Sequence, residues 1–180
     1  MEPPALRGAP PCRRRWGAAI NEKCYYFGTA NATRMIETLE FENPHFLQSL
    51  FANDPALLKL LDEVAYSCAA RYSGHYVVTL LLDDAIFRAP VLVGELVTFK
   101  ACVNHVGRTS LDVGIRVIAA NHRTRVERHV MSCFFVMVAL DDDGKPTEVP
   151  RFVPETAEDL RRWKQSERRR ALRLAARQQA

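Results

Sequence analysis

An α+β fold, with one antiparallel sheet curled around a single buried helix, is what this 180-residue sequence predicts. Three observations carry that expectation. One helical stretch is apolar on nearly every side; four long β-patterned stretches follow it; and the joins between them are turns too short for crossover helices. With 48% hydrophobic and 26% charged residues, the chain has the balance of one ordinary domain with one substantial core.

The first stretch, MEPPALRGAPPCRRRWGAAI, holds four prolines and four arginines against one acid and cannot supply a core. Residues 1–30 are therefore expected as a disordered or loosely attached arm, followed by a main domain over 31–153 and a charged C-terminal helix over 154–180. The Arg-rich, acid-poor arm also fits an organelle transit peptide, although it lacks serine and a clear amphipathic face.

From Thr33 to Phe41 a strand is expected, because Met35, Leu39 and Phe41 share one parity while Arg34, Thr38 and Glu40 take the other. Asn43-Pro44 ends it. Asp54 is a cap for exposed amides and Pro55 suits the first helical position, so a helix should run from there to Ser73, with Gly74 as its stop. Its residues Leu57, Leu58, Leu60, Leu61, Val64, Ala65, Tyr66, Cys68, Ala69 and Ala70 cover almost all directions, which predicts a helix wrapped by other structure.

Four strands follow: VVTLLLDDAIF, LVTFKACVNHV, SLDVGIRVIAA and RVERHVMSCFFVMVAL. In the third, Leu111, Val113, Ile115 and Val117 alternate with Ser110, Asp112, Gly114 and Arg116, as a half-buried strand requires. Pro90 with Gly94, Gly107, Asn121 to Arg123, and Asp141 to Gly144 mark the turns. The tail from Pro154 reads as an exposed helix, acids in its first turn and arginines later, in keeping with the helix dipole. Either its charges simply face water, or they meet phosphate groups or a neighbouring subunit.

Charge and cysteine usage narrow the functional classes. The net charge is +4, but residues 1–20 carry four arginines against Glu2, and residues 155–180 carry eight basic residues against four acids. The body between is therefore net acidic, which argues against a nucleic-acid-binding face there. Cys12, Cys24, Cys68, Cys102 and Cys133 are odd in number and widely spaced, which favours a reducing compartment and the cytoplasm. Cys68, Cys102 and Cys133 lie in apolar runs and read as small buried hydrophobes. The five histidines lack metal-ligand spacing, and neither a Gly-rich phosphate loop nor a membrane-length apolar run is present. No metal or resident cofactor is expected.

The segments LLKLLDEVAYSCAARYSG (57–74), VVTLLLDDAIFRAPVLVGELVTFKACVNHVGRTSLDVGIRV (77–117), FFVMVALDDDGKPTEVP (134–150) and VPET (153–156) resemble the cytosolic acyl-CoA hydrolases with a hot-dog domain. The resemblance implies a sheet wrapped about the helix, edge-to-edge pairing of two such units, and often a trimer of dimers. It also implies hydrolysis of an acyl-CoA at the dimer interface, where an acid on the central helix faces a loop asparagine of the other subunit. Asp62 matches the acid, and Thr79 a strand position beside it. For the asparagine, Asn43 is the choice over His45, which falls at the counted position, and over Asn53. The turn Gly107, Arg108, Thr109, Ser110 matches part of the nucleotide-binding surface.

The residues themselves argue in the same direction. A carboxylate amid Leu58, Leu61, Ala65 and Tyr66 is costly to bury unless paired or functional, and could activate a water or attack a thioester directly. Alternatively, Asp62 and Glu63 form the helix's one wet edge with Lys59 as partner. A turn with backbone N–H groups, a guanidinium and two hydroxyls can grip coenzyme A phosphates, or can be an ordinary hairpin turn. Thr79 can orient a water or simply fill a strand.

The sequence also departs from the family. A Gly-Gly pair usually follows Leu-Phe at the helix start, but here Ala52-Asn53-Asp54-Pro55 follows Leu50-Phe51. Helix amides there stabilise a thioester oxyanion; Pro55 has no N–H and Asp54 adds negative charge. Three functional readings follow: an acyl-CoA thioesterase with a rebuilt oxyanion site, a hot-dog protein that binds acyl-CoA or serves only in assembly, and another hot-dog reaction such as dehydration or ammonia loss.

Overall fold

The computed structural model describes residues 20–29, 32–41, 55–92, 95–121 and 123–178. In chain order they form β1 (Ile20–Thr29), β2 (Ala32–Phe41), α1 (Pro55–Ser73), β3 (Tyr76–Phe87), β4 (Glu95–Val106), β5 (Ser110–Asn121), β6 (Glu127–Leu140) and α2 (Ala157–Gln178). The strands make one antiparallel sheet in the order β1-β2-β4-β5-β6-β3, with α1 packed across its inner face.

β1 corrects the expected arm. Ile20–Thr29 pairs along its whole length with β2, from Ile20 opposite Phe41 to Thr29 opposite Ala32, so a loose arm does not extend to residue 30. The strand-forming run CYYF was hidden by averaging its composition with the Pro- and Arg-rich stretch before it. Residues 1–19, and with them the transit-peptide reading, lie outside the described residues.

α1 stops where expected. Gly74 takes a positive φ of 72°, which costs glycine little, and its N–H donates to the Ala70 carbonyl at 2.9 Å. Leu61, Val64, Ala65, Cys68 and Ala69 are fully buried against the alternating inward residues of the sheet, among them Phe99, Leu111, Ile115, Met131, Cys133 and Met137. Burial pushes the Cys68 thiol up and the Cys133 thiol up to about 12, so both act as core hydrophobes. The all-round wrapping of α1 is only partly met within one chain. Leu58 is 49% exposed, and Asp62 and Tyr66, four and eight residues on, continue a half-open stripe on the same side.

β3 forms one edge of the sheet and is irregular. Register shifts fall between Thr79 and Leu81 and between Leu82 and Asp84, so Leu80 and Asp83 are extra residues relative to β6. Tyr76, Val78, Leu80, Ile86 and Phe87 are all exposed along this edge.

The tail also differs from the expected solvated helix, because α2 is docked on the outer face of the sheet. A capping box starts it: Asp159 N–H donates to Thr156 Oγ1 at 3.1 Å, and Thr156 N–H donates to Asp159 Oδ2 at 3.2 Å. Trp163 stacks on Phe152 at 5.5 Å and lies 4.2 Å from the His105 ring, which ties α2 to β4. Fully buried Ser166 donates to Asp112 of β5 at 2.6 Å. Arg173 bridges Asp83 and Asp112, while Arg169 lies over the Phe134 ring with its Nε 3.3 Å from Asp83, an ion pair without hydrogen-bond alignment. Charge made the helix look solvated, although these cations are spent on acids of the sheet.

Candidate active site

The half-open stripe on α1 and the edge strand β3 meet at two of the expected residues. Thr79 Oγ1 donates a hydrogen bond to Asp62 Oδ1. Val77 and Thr79 share the inner face of β3, which turns the threonine toward the helix, and Asp62 sits one step around α1 from fully buried Leu61. Thr79 Oγ1 is also 3.3 Å from Met137 Sδ, but a hydroxyl has one proton, and the carboxylate is the stronger acceptor. The hydroxyl oxygen keeps its lone pairs for a water.

This arrangement fixes one carboxylate oxygen of Asp62 on a strand hydroxyl. The partner comes from a strand residue 17 positions away in sequence. Tyr66, one turn along α1, meets Tyr76 edge-on at 5.8 Å and walls one end of the opening.

The glycine turn stands at the same end of the sheet. Ser110 lies opposite Val138, and Val138 opposite Val78, the neighbour of Thr79. Two strand spacings, roughly 10 Å, therefore separate the turn from the Asp62–Thr79 pair. The turn is closed by Gly107 N–H donating to Ser110 O at 2.8 Å, and it is anchored by Thr109 O and Arg108 O accepting from Ala139 and Val149. Arg108 is exposed at the mouth of a cavity of about 460 Å³, shared with Glu148, Arg151, Phe152 and Trp163. A Cβ at Gly107 would stand 2.5 Å from Arg170 Nη1 and 2.7 Å from Ser110 Oγ, so glycine lets α2 approach the turn.

The structure thus brings Asp62 and Thr79 into contact and places Gly107, Arg108, Thr109 and Ser110 nearby. Asn43, His45, Asn53 and the residues between Phe51 and Asp54 lie outside the described residues. Sequence reasoning missed Met137 beneath Thr79 and Arg170 against the turn. Neither carries a local signal, since each reaches its place through strand pairing or helix docking. Among the described residues, no three His, Cys, Asp or Glu side chains cluster as metal ligands would. No described helix is long and apolar enough to cross a membrane.

Known proteins share the sequence pattern and the fold of this chain. Residues 51–126 match the family model of the Thioesterase superfamily. Protein VdlD of Helicobacter pylori is 44% identical over 117 residues, covering 65% of this chain and 67% of that one. An apo-hexameric acyl-CoA thioesterase is 29% identical with a TM-score of 0.71, over 79% of this chain and 92% of that chain. The acyl-CoA hydrolase of Staphylococcus aureus, solved with butyryl coenzyme A and coenzyme A, is 27% identical with a TM-score of 0.65, over 69% of this chain and 76% of that chain. It has also been solved with alanine replacing an aspartate, a threonine and an asparagine. With two thirds of VdlD covered at this identity, and the hot-dog architecture shared with solved acyl-CoA hydrolases, the chain belongs to the thioesterase superfamily, as a hot-dog-fold acyl-CoA thioester hydrolase.

Proposed function

We propose that Asp62, held by Thr79, is the general base that hydrolyses an acyl-CoA to the free acid and coenzyme A. The single observation that carries this is the Asp62–Thr79 hydrogen bond at an open sheet edge. The aspartate and threonine replaced in the S. aureus hydrolase stand 17 positions apart, as Asp62 and Thr79 do. In the proposed step the outer carboxylate oxygen takes a proton from water as its oxygen attacks the thioester carbonyl. The tetrahedral intermediate then collapses, the C–S bond breaks, and the proton passes from Asp62 to the leaving sulfur. Substrate closure is assigned to a second copy laid along β3, where exposed apolar side chains and unpaired edge groups coincide with the half-open stripe of α1. Assembly into a hexamer is the further expectation, in line with the apo-hexameric relative.

A second reading has one specific observation behind it. Pro55 is the first residue of α1, so the helix start lacks one N–H donor that could polarise the carbonyl. That favours a protein that binds acyl-CoA without turning it over. Mixing the purified chain with acyl-CoAs of several lengths and a thiol reagent decides between them. Thiol release supports hydrolysis, whereas tight binding without release at any length supports the binder.

Two outcomes are expected on this proposal. Arg108→Ala should raise KM about tenfold with kcat nearly unchanged, because a phosphate contact contributes equally to ground and transition states. An unchanged KM returns the turn to a purely structural role. Val78→Glu combined with Leu80→Glu should give monomers in light scattering and lose thiol release, since like charges along an edge block strand pairing. Wild-type elution of that variant would move the subunit contact elsewhere.

A further inference from the structure

A second cavity, of about 760 Å³, lies on the outer face of the sheet, the side opposite Asp62. Its floor is Lys100 of β4 and Arg116 of β5, which stand directly opposite each other in the ladder and therefore share one face. Like charges in that relation destabilise a sheet unless something lies between or above them. Arg88 joins them from the end of β3, and Arg161, Arg162 and Arg169 form the wall contributed by α2.

The acids do not balance this set. Arg161 and Arg162 share Glu158, the one carboxylate lining the cavity among the described residues, and Arg169 is paired with Asp83. Arg88, Lys100 and Arg116 pair with no carboxylate among the described residues. Two of these cations also face a nearby histidine. His129, whose Nε2 lies 2.9 Å from both Met131 O and Ser132 Oγ, is held below the usual histidine range first by burial and then by Arg116, with Arg88 adding to it. Ser132 also lines the cavity and supplies a hydroxyl beside these three cations.

We propose that this outer-face cavity binds the diphosphate group of a small molecule. Three cations with no carboxylate partner among the described residues, lining with a hydroxyl a space much larger than one phosphate, suit an extended, multiply charged anion. The diphosphate could belong to coenzyme A or to a separate nucleotide-like ligand; the chemistry of the site is the same for both. The inference stands whether or not Asp62 is the catalytic base.

The test uses the full chain in its native assembly, with inorganic pyrophosphate as probe, in calorimetry and thermal unfolding at constant ionic strength. Wild type should bind pyrophosphate and gain in Tm over a chloride control. Arg88→Ala combined with Arg116→Ala should weaken binding at least about tenfold and abolish the Tm gain. Without ligand, its Tm should be equal or higher, because a like-charge pair has been removed. Arg123→Ala, at an exposed cation outside this cavity, should leave the binding within about twofold. Competition with acyl-CoA for turnover would assign the diphosphate to coenzyme A, and binding without a change in KM would assign it to a separate ligand. No binding by wild type at millimolar pyrophosphate, or equal binding by the double variant, overturns the proposal.

Discussion

Asp62→Ala is expected to lower kcat about a thousandfold, in the range that loss of a positioned general base costs, while the oligomer and its Tm stay close to wild type. Stability should hold because Asp62 is only half-buried and its hydrogen bond from Thr79 comes from an exposed residue. Asp62→Asn is the sharper variant, since it keeps the volume and can still accept from Thr79 while losing the basic oxygen. It should fall nearly as far. Thr79→Ser should retain most activity and Thr79→Val should not, because the hydroxyl rather than the branched carbon holds the carboxylate. Steady-state thiol release with light scattering checks all four. Activity of Asp62→Ala within a few-fold of wild type would remove Asp62 from the mechanism. Single-turnover hydrolysis in oxygen-18 water refines the role: a general base delivers label only to the acid, whereas an acyl–Asp62 anhydride opened by water at the Asp62 carbonyl gives unlabelled acid and leaves the label in Asp62.

Arg173→Ala is expected to cost about 3 kcal/mol, the low end of the penalty for removing one partner from a buried ionic cluster. Its side chain is 19% exposed, and those of Asp83 and Asp112 are 10% and 8% exposed, so solvent screens the pair weakly. The low end applies because each acid keeps a second partner, Arg169 for Asp83 and Ser166 for Asp112. Tm should fall by about 6–12 °C for a chain of this size. Arg173→Lys should recover only part of that, because a point charge cannot reach both carboxylates as a fork does. A loss below about 0.5 kcal/mol, the range of exposed pairs, would mean that α2 is held by its aromatic contacts, Ser166 and Arg169 rather than by Arg173.

How far the sequence could be read depends on the reach of each interaction. α1 was legible because its signals are local: Pro55 at its first turn, continuous apolar cover, and Gly74 at its end. The four strands after it were legible from alternation and turn residues, and the neighbours β4-β5-β6 follow from their short connections, whereas the pairing of β3 with β6 and of β2 with β4 has no local signal. β1 was not, because six strand-forming residues sat behind a stretch of prolines and arginines. The docking of α2 was not legible either. Its polar anchor, Ser166 on Asp112, spans 54 residues, and Arg173 on Asp83 spans 90, so the helix pattern records many charges and nothing of their partners. For the site, the family resemblance singled out Asp62 and Thr79, while the helix alone left Asp62 with two equal explanations. The contact between them is set by β3 lying at the edge beside α1, a property of the whole sheet.

Asp83 reaches α2 only because β3 carries an extra residue at that point. A regular ladder gives each inward neighbour one outward neighbour, leaving no position between Leu82 and Asp84 for a third side chain. Insertion solves this without slippage, since Leu82 still faces Phe135 and Asp84 still faces Phe134. Deleting Leu80 would straighten the strand and leave every remaining partner on β6 unchanged. Deleting Asp83 would straighten it equally and strip the C-terminal helix of its hold on the edge, so two irregularities that look alike in hydrogen bonding differ wholly in what hangs from them.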